Sequence, residues 1–145
     1  MRTLGLSLEE AERQLAREAG LLGISGLSND LRDLDAAAAA GNPDARLALD
    51  TLVHSIRHWT GAFLLELGGL DALVFTAGIG ENNAAVRTAV CHQLEPFGIQ
   101  LDAVRNAGCQ AAEAVISSPG SPVKILVIPA NEELVLAREV FRLLS

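Results

Sequence analysis

The sequence is short of cysteine and of long apolar runs, and each shortage excludes a class of protein. Two cysteines occur among 145 residues, and Cys91 and Cys109 fit neither a zinc spacing nor a CxxC motif. We therefore expect two free buried thiols, which are typical of a reducing cytosol. No apolar run approaches the roughly 20 residues that span a bilayer, and the N-terminus lacks the apolar core of a signal peptide. We expect a cytoplasmic protein.

Basic residues are also in deficit. The chain has 11 Lys and Arg against 18 Asp and Glu, for a net charge of -7. Duplex nucleic acids and membrane surfaces are themselves negative, so an acidic chain is a poor partner for either. We therefore expect no nucleic-acid partner and no membrane partner.

Length and apolar content indicate a folded domain. A chain of 145 residues is the usual size of one domain and buries roughly 68–70% of its unfolded surface. Half of the residues are hydrophobic and 20% are charged, which excludes intrinsic disorder. The mean hydropathy of +0.30 is high for a soluble single domain and suggests a face buried against something else. The length is too short for a complete two-lobed enzyme.

Helical and strand patterns alternate along the chain, which is typical of an α/β fold. A capping box at Ser7 and a cap-proline pair at residues 42–43 mark two helix starts. The patterns predict helices over residues 7–19, 30–40, 43–67, 81–94, 103–112 and 131–144. They predict strands over residues 70–76, 98–102, 115–117 and 123–128. We expect the first strand to be buried on both faces.

The strongest local signal is a glycine turn over residues 77–80, between the first strand and the next helix. Glycines let a ligand approach the backbone where the first N–H groups of a helix lack partners. The carboxyl end of a strand is also where α/β sheets bind nucleotides. The turn is not a Walker loop, and Asn83 takes the place of the third glycine of a dinucleotide motif. A plain tight turn explains the pattern equally well.

Two other segments bring polar groups to helix starts. A predicted loop over residues 20–30 ends at Asp30 and Arg32, whose carboxylate and guanidinium suit a base or ribose. Residues 131–133 (Asn-Glu-Glu) follow a strand, and their carboxylates suit Mg²⁺. From the patterns alone, helix capping explains both segments better than ligand binding does.

Two weaker patterns complete the candidates. His54 and His58 share a helix face, but no third ligand accompanies them, so we expect no metal there. Asp102 lies about 20 residues beyond the glycine turn, where a dinucleotide-dependent oxidoreductase needs an acid. That function remains a minor alternative.

In their order along the chain, these segments resemble the C-terminal part of acetate kinase and its propionate kinase relatives. The resemblance runs nearly from end to end. Its most specific stretch is Phe-Thr-Ala-Gly-Ile-Gly-Glu-Asn at residues 75–82. Matching segments also occur at residues 7–10, 20–26, 30–32, 69–74, 98–102 and 128–134.

The resemblance implies an actin-like, sugar kinase-like ATPase fold of two RNase H-like lobes, each a mixed sheet with flanking helices. Residues 1–145 would form one domain, most of the nucleotide-binding C-terminal lobe, with the N-terminal lobe absent. Acetate kinases transfer the γ-phosphoryl group of ATP reversibly to acetate, giving acetyl phosphate. The family's catalytic arginines, histidines and aspartate precede this segment, so we expect no catalytic residue here and no turnover by this chain alone.

The same resemblance implies binding residues and partners. Its contacts to ATP or ADP fall on Asp30, Leu31, Arg32, Gly78, Ile79, Gly80, Glu81 and Asn82. The glutamate associated with Mg²⁺ falls on Glu132, and its neighbour Glu133 is expected to be structural. This chain has Asn29 and Asn83 where the family usually has Ser, and Ala130 where it has Thr. The loss of that hydroxyl could weaken a cap or a phosphate contact.

The implied partners are the nucleotide, the N-terminal lobe of the same enzyme and a second copy in a homodimer. A non-catalytic assembly module or remnant of the family stays open as an alternative. Propionate or another short-chain acyl group stays open as the acceptor. The high apolar content fits surfaces that another lobe or copy covers.

Overall fold

A computed structural model describes residues 5–144, apart from the side chain of Glu132. The chain divides into two compact units, Met1–Thr60 and Gly61–Ser145, and each is described separately. The expectation of a single domain over residues 1–145 stays a prediction. In the part of the chain that the structure describes, no helix has both the length and the apolarity needed to cross a membrane.

The first unit is helical. It contains α1 (Leu8–Arg13), a π-helical segment (Gln14–Glu18), α2 (Gly20–Ser25), α3 (Leu31–Ala39) and the start of α4 (Pro43–Leu67). Its buried side chains are Ala11, Ser25, Leu31, Leu34, Ala45, Ala48 and Leu49. The helix predicted over residues 43–67 is confirmed at both ends.

The predicted helix starts are also confirmed. The Ser7 hydroxyl accepts from the N–H of Glu10 at 3.1 Å, and the N–H of Ser7 donates to the Glu10 carboxylate at 2.8 Å. Asn42 Oδ1 accepts from the N–H groups of Asp44 and Ala45 at 2.9 and 3.0 Å. Each bond satisfies a donor that has no partner inside its own helix.

The loop predicted over residues 20–30 is wrong in its first half, because residues 20–25 form α2. Each glycine costs a helix about 1 kcal/mol relative to alanine. Leu21, Leu22 and Ile24 are half-buried in α2, however, and tertiary packing outweighs propensity. Gly26 ends the helix with φ of 62°, in the left-handed region that favours glycine.

The second unit is built on a three-stranded mixed sheet in the order β1-β3-β2. Its strands are β1 (Ala72–Phe75), β2 (Ala114–Val115) and β3 (Lys124–Val127). Strand β1 pairs with β3 in parallel, and β2 pairs with β3 antiparallel. Around the sheet lie α5 (Ala77–Asn82), α6 (Ala84–Cys91), a 3-10 turn (Glu95–Phe97), α7 (Ala103–Gly108) and α8 (Glu132–Leu144). The predicted α/β fold class, a mixed sheet with flanking helices, is confirmed.

The expectation that the first strand is buried on both faces is wrong. Phe75 is 8% exposed, whereas Val74 is 44% exposed. The register pairs Phe75 with Val127 and Val74 with Leu126, and paired residues share a face of the sheet. The Phe75 face therefore belongs to the core, and the Val74 face stays partly open.

The glycine turn and the helix predicted after it also differ from the structure. Helix α5 already begins at Ala77, and the helical run breaks at Asn83, whose φ of -111° and ψ of 92° are extended. Asn83 Oδ1 accepts from the N–H of Val86 at 2.9 Å and so caps α6. The predicted helix over residues 81–94 therefore consists of two short helices joined at a cap.

Other helix and strand boundaries also differ from the predicted ones, because pairing and capping decide where short elements end. Residues 98–102 form only two isolated bridges, Ile99 with Val123 and Leu101 with Ser117. The predicted edge strand over residues 115–117 is displaced to β2, and the helix over residues 103–112 ends with α7. Cys91 and Cys109 are buried and form no disulfide, as expected.

Candidate functional site

A cleft lies where the two parallel strands end. Because β1 and β3 run in the same direction, the segments that follow them leave the sheet at the same edge. The N–H of Ile128 donates to the Phe75 carbonyl at 3.0 Å, which carries the pairing up to that edge. The cleft has a volume of about 450 Å³ and is lined by Ala77, Gly78, Glu81, Pro129, Ala130, Asn131 and Glu133. This volume is typical of a small-molecule site.

One hydrogen bond joins the two segments across the cleft. The N–H of Ala130 donates to Glu81 Oε1 at 2.8 Å, over a separation of 49 residues. Within α5, the Asn82 side-chain amide donates to the Gly78 carbonyl at 3.0 Å. Two side chains that the resemblance assigns to the nucleotide therefore hold the protein backbone around the cleft.

The backbone of the cleft is closely packed at one glycine and strained at two other residues. A Cβ on Gly80 would lie 3.2 Å from the carbonyl carbon of Phe75, so a larger residue there would push α5 and β1 slightly apart. Ala77 and Asn131 have φ of 58° and 48°. Such left-handed backbone costs an ordinary residue such as Ala77 about 1–2 kcal/mol, and asparagine less. Strain of this kind clusters at functional sites.

A buried arginine that no motif in the sequence indicated holds the end of α5. Arg87 is fully buried. Its Nη1 donates to the carbonyls of Gly80 and Glu81, both at 2.9 Å. Its Nη2 donates to the carbonyls of Asn106 and Cys109 at 2.9 and 2.8 Å, and its Nε donates to Asn106 Oδ1 at 2.7 Å. All five acceptors are uncharged.

Helix ends supply the negative partial charge that Arg87 requires. Among the described residues Arg87 forms no salt bridge, but its carbonyl partners lie at the C-terminal ends of α5 and α7, where helix dipoles favour a cation. Burial lowers the pKa of Arg87, and the guanidinium nevertheless stays protonated. Val86, Val90 and Cys91 are buried on the same helix. An arginine among these apolar positions was the signal that could have predicted a buried role.

In the first unit, Asp30 and Arg32 pair with each other. Asp30 caps α3 by accepting from the backbone N–H of Arg32 at 2.9 Å, and its carboxylate also accepts from the guanidinium at 2.5 Å. Hydrogen bonding by the Arg32 side chain lowers the pKa of Asp30 to about 2. Leu31 is buried, whereas the Arg32 side chain is 89% exposed. Asp30 therefore caps α3, while the guanidinium of Arg32 stays accessible to solvent.

Two acidic residues, Glu132 and Glu133, stand at the start of α8. Glu132 is the first residue of α8, and its side chain lies outside the described residues. Glu133, which was expected to be structural, lines the cleft. Within residues 5–144 as described, no three His, Cys, Asp or Glu side chains group closely enough to hold a metal by themselves. Mg²⁺ usually takes one or two carboxylates and completes its shell with phosphate and water, so the oxygen donors at this cleft fit it.

The two histidines of α4 contact each other and a tryptophan. The rings of His54 and His58 lie 6.5 Å apart, and His58 meets Trp59 edge-on at 5.4 Å.

These features define the class of protein. It is an α/β protein whose cleft lies at the carboxyl ends of parallel strands, where open α/β sheets usually bind their ligands. Residues 1–138 match the sequence model of the Acetokinase family. The chain belongs to this family.

Individual relatives agree with the family match. The chain is 49% identical to an acetate kinase of Leifsonia xyli over 95% of its own length and 34% of the relative's. It is 47% identical to an acetate kinase of Geobacillus kaustophilus over 99% of its length and 36% of the relative's. The chain therefore spans about a third of the length of these relatives.

Solved structures of the family share the fold. The acetate kinase of Porphyromonas gingivalis matches 100% of this chain with a TM-score of 0.87 and 37% identity, over 36% of its own length. A propionate kinase of Francisella tularensis matches 95% of this chain with a TM-score of 0.80 and 38% identity, over 35% of its own length. The RNase H-like lobe implied by the resemblance is consistent with these matches.

Replacing Arg87 should destabilise the protein strongly. Arg87→Met removes the donors for five acceptors, three of them in buried bonds, and each unsatisfied buried group costs about 1–3 kcal/mol. We expect the free energy of unfolding, measured by urea denaturation with circular dichroism, to fall by more than about 3 kcal/mol. Arg142→Met is the control, because Arg142 is exposed in its ion pair with Glu139 and such pairs contribute at most about 1 kcal/mol. Equal losses in the two variants would contradict the structural role of Arg87.

The Asp30 carboxyl should titrate far below its ordinary range. The pKa of Asp30 is lowered from 3.8 to about 2, so its stabilisation of α3 is present above pH 3.8 and is lost as the pH falls through about 2. Carbon-detected NMR of the carboxyl should place the midpoint near pH 2. Arg32→Met should return the midpoint towards 3.8. A wild-type midpoint near 3.8 would show that the pairing does not form in solution.

Proposed function

We propose that this chain supplies the nucleotide-binding part of an acetate kinase. The observation that carries the proposal is the convergence of residues 77–81 and 129–133 on one cleft. These are the segments of the second unit on which the resemblance places contacts to the nucleotide and to Mg²⁺. Both segments follow parallel strands, at the edge of the sheet where nucleotides bind in α/β proteins.

The reaction we propose for the whole enzyme is reversible phosphoryl transfer. A carboxylate oxygen of acetate bonds to the γ-phosphorus of ATP, the bond from that phosphorus to the ADP oxygen breaks, and acetyl phosphate and ADP result. Such transfer depends mainly on positioning and on electrostatic stabilisation of the transferred group. In this proposal the chain holds the nucleotide. The acceptor site lies in the part of the enzyme that corresponds to the unmatched two thirds of the relatives. Propionate is the alternative acceptor, because a propionate kinase shares the fold.

We assign the nucleotide contacts to residues 30–32 in the first unit and to the segment over residues 78–82 in the second. Asp30, Leu31 and Arg32 are proposed to contact the base and ribose, which the exposed Arg32 guanidinium supports. Gly78, Ile79, Gly80 and Asn82 are proposed to contact the remainder of the nucleotide. Glu132 is proposed to associate with Mg²⁺, which when bound neutralises charge on the phosphate oxygens. The two buried cysteines, which form no disulfide, support a reducing, cytoplasmic setting.

The full 145-residue chain should bind nucleotide without turning it over. We expect titration calorimetry to detect binding of Mg-ADP, and Arg32→Ala to weaken it at least about tenfold, which corresponds to about 1.4 kcal/mol. Arg142→Ala is the matched control and should bind as the wild type does, because Arg142 pairs with Glu139 at the far end of α8. The chain alone should form no acetyl phosphate from ATP and acetate.

Two results would contradict this assignment. Equal affinities of wild type and Arg32→Ala would remove Arg32 from the nucleotide site. Formation of acetyl phosphate by the chain alone would overturn the view that the catalytic groups belong to the rest of the enzyme.

A second proposed property is self-association into a homodimer. Every side chain that the structure describes on α8 is exposed. Phe141, Leu143 and Leu144 are 74%, 79% and 83% exposed. Exposed apolar patches commonly mark interfaces, so this helix is our candidate for contact with a second copy.

Light scattering at micromolar concentration should therefore report a dimer. Phe141→Asp should shift the mass to that of a monomer, because a charge at a buried interface is costly. Val104→Asp should leave the dimer intact, because Val104 is at least as exposed as Phe141 (83% against 74%) but lies on α7. A monomeric wild type, or equal effects of the two variants, would refute α8 as the interface.

A further inference from the structure

We propose that Glu81 is a positioning residue that acts through Ala130. Its carboxylate holds the segment between β3 and α8 against α5, and so sets the width of the cleft, rather than contacting the nucleotide itself. This inference rests on the proposed function only in so far as the nucleotide occupies the cleft. It revises the role that the family resemblance assigns to Glu81.

The backbone of Glu81 is anchored before its side chain reaches across the cleft. Its carbonyl accepts from Arg87 Nη1 at 2.9 Å and from the N–H of Ala111 at 3.3 Å. Arg87 is fully buried, so this anchor belongs to the core. The carboxylate therefore extends from a fixed point.

Ala130 is the point at which the segment after β3 can be held. The N–H of Ile128 makes the last bond to β1, at the Phe75 carbonyl. Pro129 follows and has no N–H to donate. The N–H of Ala130 is therefore the first donor beyond the sheet, and it bonds Glu81 Oε1 at 2.8 Å.

This bond is well placed to affect the start of α8. Asn131 follows Ala130 with φ of 48°, a left-handed conformation that asparagine tolerates better than most residues but that still costs more than ordinary backbone. On the far side, the Asn131 carbonyl accepts from the N–H of Leu134 at 3.2 Å. Glu81 holds the near side. Without it, Asn131 can relax and carry the first turn of α8 away from the cleft.

The positioning role requires an acceptor oxygen at residue 81, not a negative charge. Glu81→Gln keeps an oxygen at the same reach, whereas Glu81→Ala removes it. A carboxylate that contacted Mg²⁺ or a ribose hydroxyl through its charge would be impaired by both changes. The two variants therefore separate positioning from direct contact.

The test uses the full chain and two measurements. The first is amide hydrogen exchange at Ala130, followed by NMR without nucleotide. We expect similar rates in wild type and Glu81→Gln and at least tenfold faster exchange in Glu81→Ala. The second is Mg-ADP affinity, which should stay within threefold of wild type in Glu81→Gln and fall at least tenfold in Glu81→Ala. Glu95→Ala, at an exposed residue of the 3-10 turn, is the control and should change neither.

Each contrary result has a distinct meaning. Unchanged Ala130 exchange in Glu81→Ala would overturn the positioning role. Loss of Mg-ADP binding in Glu81→Gln with Ala130 still protected would show direct contact and would also overturn it. Absence of Mg-ADP binding by the wild type would defeat the proposed function and the nucleotide part of this inference. The Ala130 exchange rates would still decide whether Glu81 holds the segment.

Discussion

The buried guanidinium of Arg87 is the interaction on which the second unit depends. Removing a charge from water costs several kcal/mol even after the protein relaxes. Here that cost is offset by five hydrogen bonds, two of them at the end of α5 and three at the end of α7. Asn106 extends the network by donating to the Ala84 carbonyl and the Thr88 hydroxyl, both at 2.9 Å. Three helices are thereby joined through one cation.

This anchor explains how a short helix can form one wall of a cleft. Helix α5 has six residues, too few to be stable by itself in water. Arg87 fixes its C-terminal end from the core, and Gly80 allows it to lie directly against Phe75. The Glu81 carboxylate then holds Ala130, on the other side of the cleft, by accepting from its N–H. The wall is rigid because its neighbours hold it, not because of its own helix propensity.

The segment at Asp30 is built in a different way. Its carboxylate bonds a residue only two positions away, Arg32, and the contact is exposed to solvent. Its geometry follows from the start of α3 and from two side chains that are near neighbours in sequence. This is why sequence reasoning could place the cap and the pair together. The same reasoning could not choose between capping and ligand binding, and the structure shows capping with the guanidinium still accessible.

The fold was predictable wherever its causes are local. The caps at Ser7, Asp30 and Asn42 satisfy helix N–H groups within three residues, so their patterns located the helix starts correctly. The apolar runs located β1 and β3. Prediction failed at residues 20–25, where packing outweighs glycine, and at residues 98–102, where an alternating pattern forms only isolated bridges. The bridges of residues 98–102 depend on partners distant in the chain, Val123 and Ser117.

By itself, the sequence determined the family, most of the order of helices and strands, and the two motif segments that line the cleft, because these depend on residue types at short spacing. Only the tertiary structure decided that Arg87 is buried, that β1 has one open face, and that Glu81 bonds Ala130. The physical reason is that β1 and β3 pair in parallel, with their partners 52 residues apart, as Ala72 with Lys124. That pairing brings together backbone groups that no local pattern connects.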